Sequence, residues 1–111
     1  MKLVRYGEVG KEKPGLVDKS GQIRDLSAHV SDLAGDAFSP ASLSKIAALD
    51  PDKLPLVGGK PRIGAAVGGL PKFIAIGLNY SDHAKEVGMA IPAEPIVFMK
   101  GNNSLDRKSV V

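Results

Sequence analysis

Residues 73–100 read FIAIGLNYSDHAKEVGMAIPAEPIVFMK, and this stretch decides the fold class of the 111-residue chain. The apolar run that begins at Phe73 predicts a fully buried strand over 72–78, because a strand covered on both faces carries apolar residues at successive positions. A second strand is predicted over 96–99, after a Glu-Pro pair. Two strands joined by a polar segment indicate a mixture of helix and sheet.

The polar segment between these strands predicts a short helix. Residues 79–81 (NYS) supply a turn that can cap a helix over 81–87, and Gly88 is placed to end it. Residues three apart on a helix share a face, so His83 and Glu86 can meet without help from the rest of the fold.

His83 and Glu86 form a candidate acid/base pair, because imidazole titrates near neutrality and a carboxylate can orient it or share its proton. Such a pair at this spacing is more often a solvent-exposed helix contact. Its position on the first turns after a buried strand favours a site, since α/β-type sites are built there.

Three further side chains are candidate substrate contacts. Lys100 ends the second strand, where it is either an exposed lysine or an anchor for an anionic group. Tyr80 can hydrogen-bond a ligand or cover the strand end. Asn79 is as good a helix cap as a ligand contact.

The first third of the chain predicts small antiparallel strands. The run at 2–7 is β-prone, and residues 15–26 have the pattern of a hairpin with a Lys-Ser-Gly turn. Ser39 followed by proline predicts the start of a helix that ends near Leu49. His29 has no acid or metal-ligand partner at a useful spacing, so a surface or structural role is expected for it.

The segment 50–69 is rich in proline and glycine and is typical of a linker, so a domain boundary is placed near residue 60. Gly59-Lys60 superficially resembles a phosphate-binding loop. The upstream glycine position is Leu54 and the Ser/Thr position is Pro61, so the motif fails.

Composition narrows the function classes. The net charge of +3 comes from 15 basic and 12 acidic residues spread along the chain, so nucleic-acid binding is not expected. Cysteine is absent, which excludes disulfides and thiolate metal sites. No signal-like or membrane-spanning run occurs in the sequence, so no membrane association and a cytoplasmic location are expected.

Several stretches together resemble the fumarylacetoacetate hydrolase family, and the Gly77-Leu-Asn-Tyr-x-x-His-x-x-Glu86 pattern is the specific part of that resemblance. The stretches are FIAIGLNY at 73–80, SDHAKE at 81–86, IPAEP at 91–95 and IVFMK at 96–100, with shorter ones at 1–7, 13–16, 23–26 and 39–40. Within the family, the chain is most similar to bacterial members described as ureidoglycolate lyase or 2-hydroxyhepta-2,4-diene-1,7-dioate isomerase.

The resemblance implies an enzyme of the catabolism of aromatic compounds that acts on 2-oxo acids or 1,3-dicarbonyl compounds. In that family a divalent cation, Mg²⁺ or Mn²⁺, stabilises an enolate, and the outcome is C–C hydrolysis, decarboxylation, isomerisation or hydration. The resemblance implies His83 as the base, Glu86 as its partner, and Lys100, with Tyr80 and Asn79, as substrate contacts. It also implies a homodimer and a helix that acts as a lid over bound ligand.

The end of the chain departs from the family pattern. Family members continue beyond the lysine into a larger β-rich domain with three carboxylate metal ligands, including a Glu-x-Glu pair. Here Asp106 is the only acid after Lys100, and no Glu-x-Glu occurs. Because a hard cation needs several oxygen ligands, this chain alone is expected to hold no metal tightly and to be inactive. Residues 101–111 are interpreted as a non-native tail from a truncation or frameshift, or as a divergent terminus.

The expected fold is α+β, with a small N-terminal β/α domain at 1–60 and the first strands and lid helix of a mixed-β catalytic domain at 61–100. The leading hypothesis is the N-terminal portion of a metal-dependent hydrolase or lyase of the family. The alternative is a non-catalytic, stand-alone binding or dimerisation module. His83→Ala distinguishes them, because only the enzyme hypothesis expects activity to collapse in a full-length version.

Overall fold

The computed structural model describes residues 1–107 of the chain. It mixes two small antiparallel sheets with a few short helices, so the α+β fold class is confirmed at that level. The chain forms two compact units, one over Met1–Leu70 that Asp106 joins, and one over Pro71–Leu105.

A three-stranded antiparallel sheet forms the centre of the first unit. Its strands are β1 (Lys2–Tyr6), β2 (Lys13–Val17) and β3 (Ile23–Asp25), in the order β1-β2-β3. The predicted hairpin is confirmed, with Val17 opposite Ile23. Its turn is held by the carboxylate of Asp18, which accepts hydrogen bonds from the backbone N–H groups of Ser20 and Gln22 at 2.9 Å each.

Helix α1 (Pro40–Ala47) packs into the same unit and begins as predicted. The Ser39 hydroxyl accepts a hydrogen bond from the N–H of Ser42 at 3.3 Å, and proline occupies the first helical position, where its missing N–H is no loss. The helix buries Ile46, which joins the core formed by Leu16, Leu26, Ile46 and Leu54.

The Pro/Gly-rich segment 50–69 belongs to the first unit. It contains a 3₁₀ turn, Pro51–Lys53, and pairs with the sheet through isolated bridges, Arg24 with Leu56 and Tyr6 with Ile63. Residues 61–70 therefore lie in the first compact unit, although the sequence places the boundary near residue 60.

The second unit contains a two-stranded antiparallel sheet and one short helix. Strand β4 (Phe73–Gly77) pairs with β5 (Ile96–Lys100), and helix α2 (Ser81–Glu86) lies between them in sequence. A 3₁₀ turn at Asn102–Ser104 follows β5.

The prediction that β4 is fully buried is wrong. Along this strand Phe73, Ala75 and Gly77 are partly buried, while Ile74 and Ile76 are exposed. Every residue of β5 is exposed as well. The apolar run predicted a strand covered on both faces, but β4 and β5 form a sheet of only two strands in the described residues, and Ile74 and Ile76 face solvent.

Within the described residues, no helix is both long and apolar enough to cross a membrane. The interpretation of 101–111 as a non-native tail falls partly on residues 108–111, which lie outside the described residues.

Candidate functional site

Helix α2 carries the candidate pair, and it begins through an unusual backbone conformation. Leu78, directly after β4, has φ +47°, a left-handed conformation that a residue with a Cβ rarely adopts. Tyr80 is the N-cap and makes no side-chain capping hydrogen bond. Non-glycine residues in this conformation concentrate at functional sites, so the backbone of Leu78 supports a candidate site at this strand end.

Helix α2 ends just before Gly88, as the sequence predicts. Gly88 has φ +69°, and the N–H of Met89 donates to the carbonyl of Ala84 at 2.9 Å. The Ala84 side chain is buried on one face of the helix, so the other faces are turned towards solvent.

The structure brings His83 and Glu86 together. Nδ1 of His83 lies 3.7 Å from Oε2 of Glu86, which is ion-pair range but longer than a hydrogen bond. The two side chains are 54% and 78% exposed, so water solvates both. Nδ1 faces the carboxylate, and Nε2 is therefore the ring nitrogen available to a substrate or a water molecule. Catalytic hydrogen bonds are often long in a free enzyme and shorten when substrate binds.

Asn79 and Tyr80 lie between the end of β4 and the pair. The Tyr80 side chain is strongly exposed and is not packed over the strand end. Asn79 lines a cavity of about 480 Å³ bounded by residues 76–79 and 91–95.

The same cavity contains Glu94, a carboxylate that sequence reasoning passed over. Its only sequence signal is its position before Pro95 at the start of β5. His83 and Glu86 do not line this cavity.

Lys100 lies apart from the other candidates along the sheet. The register puts it opposite Phe73, where β4 begins, whereas Asn79 and Tyr80 follow the end of β4. The ammonium lies 5.8 Å from the centre of the Phe73 ring, a cation–π distance. The four-residue offset from Phe73 to Gly77 corresponds to about 13 Å of strand.

His29 fits the surface role expected of it. It is exposed and lines a separate cavity of about 470 Å³ in the first unit, together with Lys45 and Asp36. That cavity contains none of the candidate site residues of the second unit.

The described residues do not fit a divalent cation. Residues 1–107 contain no group of three or more His, Asp or Glu side chains that could hold one. Mg²⁺ and Mn²⁺ prefer several oxygen ligands, which His83 and Glu86 alone do not supply.

No protein-family model matches the chain. Curated relatives do match it: a protein of Burkholderia ambifaria is 63% identical over 105 residues, which are 95% of this chain and 37% of the relative. Matches to proteins of Burkholderia multivorans and Burkholderia orbicola cover the same shares at 63% and 62% identity. Six of the 111 residues fall outside the Burkholderia ambifaria match, so the match includes part of 101–111. All three relatives bear the name "Putative hydrolase", and the chain spans about 37% of their length.

Proposed function

We propose that this chain carries the proton-handling portion of a hydrolase or lyase of the fumarylacetoacetate hydrolase type. The observation that supports it best is the His83–Glu86 contact on a helix that follows an apolar strand. The relatives bear the name hydrolase, which supports the general class of hydrolase but no particular substrate.

In this proposal His83 is the base. In hydrolysis its Nε2 takes a proton from water, whose oxygen attacks a carbonyl carbon; the bond from that carbon to the carbon between the two carbonyl groups breaks, and the released carbon takes the proton back from the imidazolium. In an isomerisation, Nε2 instead takes a proton from the carbon between two carbonyl groups and returns it to another atom of the same substrate. Glu86 faces Nδ1, orients the ring and stabilises the imidazolium that forms. The distance from Nδ1 of His83 to Oε2 of Glu86 is 3.7 Å, and it shortens to a hydrogen bond when α2 covers a bound ligand and excludes water from both side chains.

The proposed substrates are 2-oxo acids or 1,3-dicarbonyl compounds. Asn79 offers an amide and Tyr80 a hydroxyl to the substrate's oxygens. Lys100 is proposed as a contact for a carboxylate group, but a small 2-oxo acid is shorter than the roughly 13 Å of strand between the two ends of β4. Asn79 and Tyr80 are therefore the better supported contacts.

Mg²⁺ or Mn²⁺ belongs to the proposed whole enzyme rather than to this chain. The described residues lack a carboxylate set for either ion, so we assign no step through a metal. The 111-residue chain alone is expected to be inactive. Measurable cleavage of an acylpyruvate by the purified chain in the presence of Mg²⁺ or Mn²⁺ would contradict this expectation.

The decisive experiment joins the chain to the part that a relative carries outside the match. The chain is fused to the part of the Burkholderia ambifaria relative that lies outside the match, and acylpyruvate cleavage is measured. His83→Ala should lower kcat at least 100-fold, because positioned acid–base catalysis contributes roughly 10²–10⁴-fold. Glu86→Gln should lower kcat and change its pH profile.

The matched control is His29→Ala, which removes the other histidine from an exposed position in the first unit. It should leave kcat within about twofold, with unchanged circular dichroism in all variants. Equal activity of the His83→Ala and wild-type fusions would overturn the proposal.

The second candidate function is a non-catalytic binding or dimerisation module, and the exposed apolar sheet favours it. Under that hypothesis the His83→Ala fusion binds and folds as the wild type does, and neither cleaves a dicarbonyl. A homodimer and a cytoplasmic location stay predictions under both candidates.

A further inference from the structure

The cavity between helix α1 and the segment 29–37 lies in the first unit, apart from the candidate site of the second unit. Its volume is about 470 Å³, within the range of about 300–1,000 Å³ that is usual for small-molecule sites. All the residues that line it belong to one compact unit, so it forms without any contribution from the second.

Helix α1 presents a polar and an apolar part to this cavity. Ser42, Lys45 and Ile46 lie three and four residues apart, so they share one face of the helix. Leu49, just beyond the end of the helix, extends the apolar part. A ligand can therefore place hydrocarbon against Ile46 and Leu49 and polar atoms against Ser42 and Lys45.

The opposite wall is held in place by hydrogen bonds. Both carboxylate oxygens of Asp32 accept from the guanidinium of Arg5, at 2.8 and 3.1 Å, and Oδ1 also accepts from the N–H of Leu33. The N–H of Ala37 donates to the carbonyl of Ala34 at 3.1 Å. Asp32 is therefore neutralised by its own partner, and the wall is formed before a ligand arrives, which lowers the entropy cost of binding.

Two opposite charges at this cavity have no protein partner. Lys45 and Asp36 are exposed, and within residues 1–107 neither side chain makes an ion pair or a hydrogen bond. The hydroxyl of Ser42 accepts from the hydroxyl of Ser39 at 3.0 Å, so Ser42 keeps its own proton to donate. The cavity thus offers a cation, a hydroxyl donor and an anion beside an apolar surface.

These charges restrict the ligand. A ligand with only a carboxylate would pair with Lys45, but it would displace water from Asp36 and be repelled by it. A ligand with only an amine would have the reverse disadvantage at Lys45. A ligand that carries both groups gives each charged side chain a partner, and an aliphatic portion matches the apolar wall.

We infer that this cavity binds an α-amino acid with an aliphatic side chain. Lys45 and Ser42 bind its carboxylate, and Asp36 binds its ammonium group. Its side chain packs against Ile46 and Leu49. Binding here does not require the proposed chemistry of the second unit, so either can fail without the other.

Calorimetric titration of the 111-residue chain with L-leucine tests the inference. We expect saturable binding, with a Kd that Lys45→Gln and Asp36→Asn each raise at least about tenfold, because each removes a charged hydrogen-bond partner. Lys53→Gln is the matched control, since Lys53 is an exposed lysine of the first unit that does not line this cavity. It should leave the Kd within about twofold.

Three analogues test which groups of the ligand are recognised. Isocaproate lacks the ammonium group of leucine, isoamylamine lacks the carboxylate, and glycine lacks the aliphatic side chain. Each should bind at least about tenfold more weakly than L-leucine. Binding of any of the three as tight as that of L-leucine would overturn the inference.

Amide NMR of the unsubstituted chain locates the site and does not depend on how the variants fold. L-leucine should shift the resonances of residues 29–37 and 42–49 and leave those of 81–86 unchanged. The absence of a saturable shift, or shifts confined to the second unit, would overturn the inference.

Discussion

The guanidinium of Arg5 binds the carboxylate of Asp32 through two hydrogen bonds, Nε to Oδ1 at 2.8 Å and Nη2 to Oδ2 at 3.1 Å. The pair ties β1 to the loop before α1, and the Arg5 side chain is only 12% exposed. Bidentate arginine–carboxylate pairs fix both distance and orientation. Its atoms lie directly against Gly68, whose missing side chain leaves room for them.

Gly68→Ala should therefore destabilise the first unit. A Cβ at this position would lie 2.6 Å from Oδ2 of Asp32 and 2.8 Å from Nη2 of Arg5, so the ion pair would have to move. Overpacking of this kind costs about 1–3 kcal/mol. The measurement is urea denaturation followed by circular dichroism.

Gly58→Ala is the matched control, because a Cβ there has no neighbour within 4 Å and Gly58 is not among the glycines with positive φ. It should leave the free energy of unfolding unchanged or raise it by up to about 1 kcal/mol. Equal effects of the two substitutions would show that Gly68 is not required by the ion pair.

The same ion pair predicts a loss of stability in acid. The hydrogen bonds from Arg5 hold the pKa of Asp32 below its ordinary value, and the N–H of Leu33 acts in the same direction. A lowered pKa in the folded state means that the stabilisation is present above the unfolded pKa of about 3.9 and is lost as the pH falls through the folded pKa.

Asp32→Asn should therefore be less stable than the wild type at pH values near 6, and the difference should shrink as the pH falls below about 4. Denaturation of both proteins at several pH values measures it. A difference that does not vary with pH would show that the charge of Asp32 contributes nothing.

The raised pKa of Tyr6 predicts a loss of stability in alkali, whereas the lowered pKa of Asp32 predicts one in acid. Burial, followed by its hydrogen bond to Asp25, raises the pKa of Tyr6 to about 12. The stabilisation is complete below the unfolded pKa of about 10 and is lost as the pH rises from there through about 12. In a Tyr80→Phe background Tyr6 is the only tyrosine, so tyrosinate absorbance follows this group alone.

Tyr6→Phe should cost about 1.5 kcal/mol at neutral pH, because Asp25 loses a donor, and should remove this alkaline loss. Tyr80→Phe, at a strongly exposed position, is the matched control and should retain the alkaline loss. A Tyr6→Phe protein that loses stability between pH 10 and 12 as the wild type does would contradict the assignment.

Ser39 should be the residue that holds the start of α1. Ser39→Ala removes the acceptor for the N–H of Ser42 and should cost about 1 kcal/mol, measured by denaturation. Ser44→Ala, an exposed change inside the same helix, should change stability by less than about 0.5 kcal/mol. A smaller cost at Ser39 than at Ser44 would contradict the capping role.

Features set by neighbouring residues could be predicted from the sequence. The Ser39-Pro40 helix start, the hairpin across β2 and β3, and the end of α2 at Gly88 all depend on contacts within a few residues. The His83–Glu86 contact belongs to the same class, because helix geometry alone brings positions three apart together.

Features that depend on distant parts of the chain could not be predicted. The exposure of Ile74 and Ile76 depends on how many strands and helices cover β4, and an apolar run is the same in a covered and an uncovered strand. The position of Lys100 beside Phe73 depends on the strand register, and the left-handed backbone of Leu78 has no local sequence signal.

The exposed apolar side chains of the β4–β5 sheet also affect the cellular lifetime of the chain. Uncharged β-strands with open edges pair with other strands and start aggregates, and cells degrade chains that expose such surfaces. Ile74, Ile76, Val97 and Met99 therefore link the cellular lifetime of the chain to whether its sheet is covered.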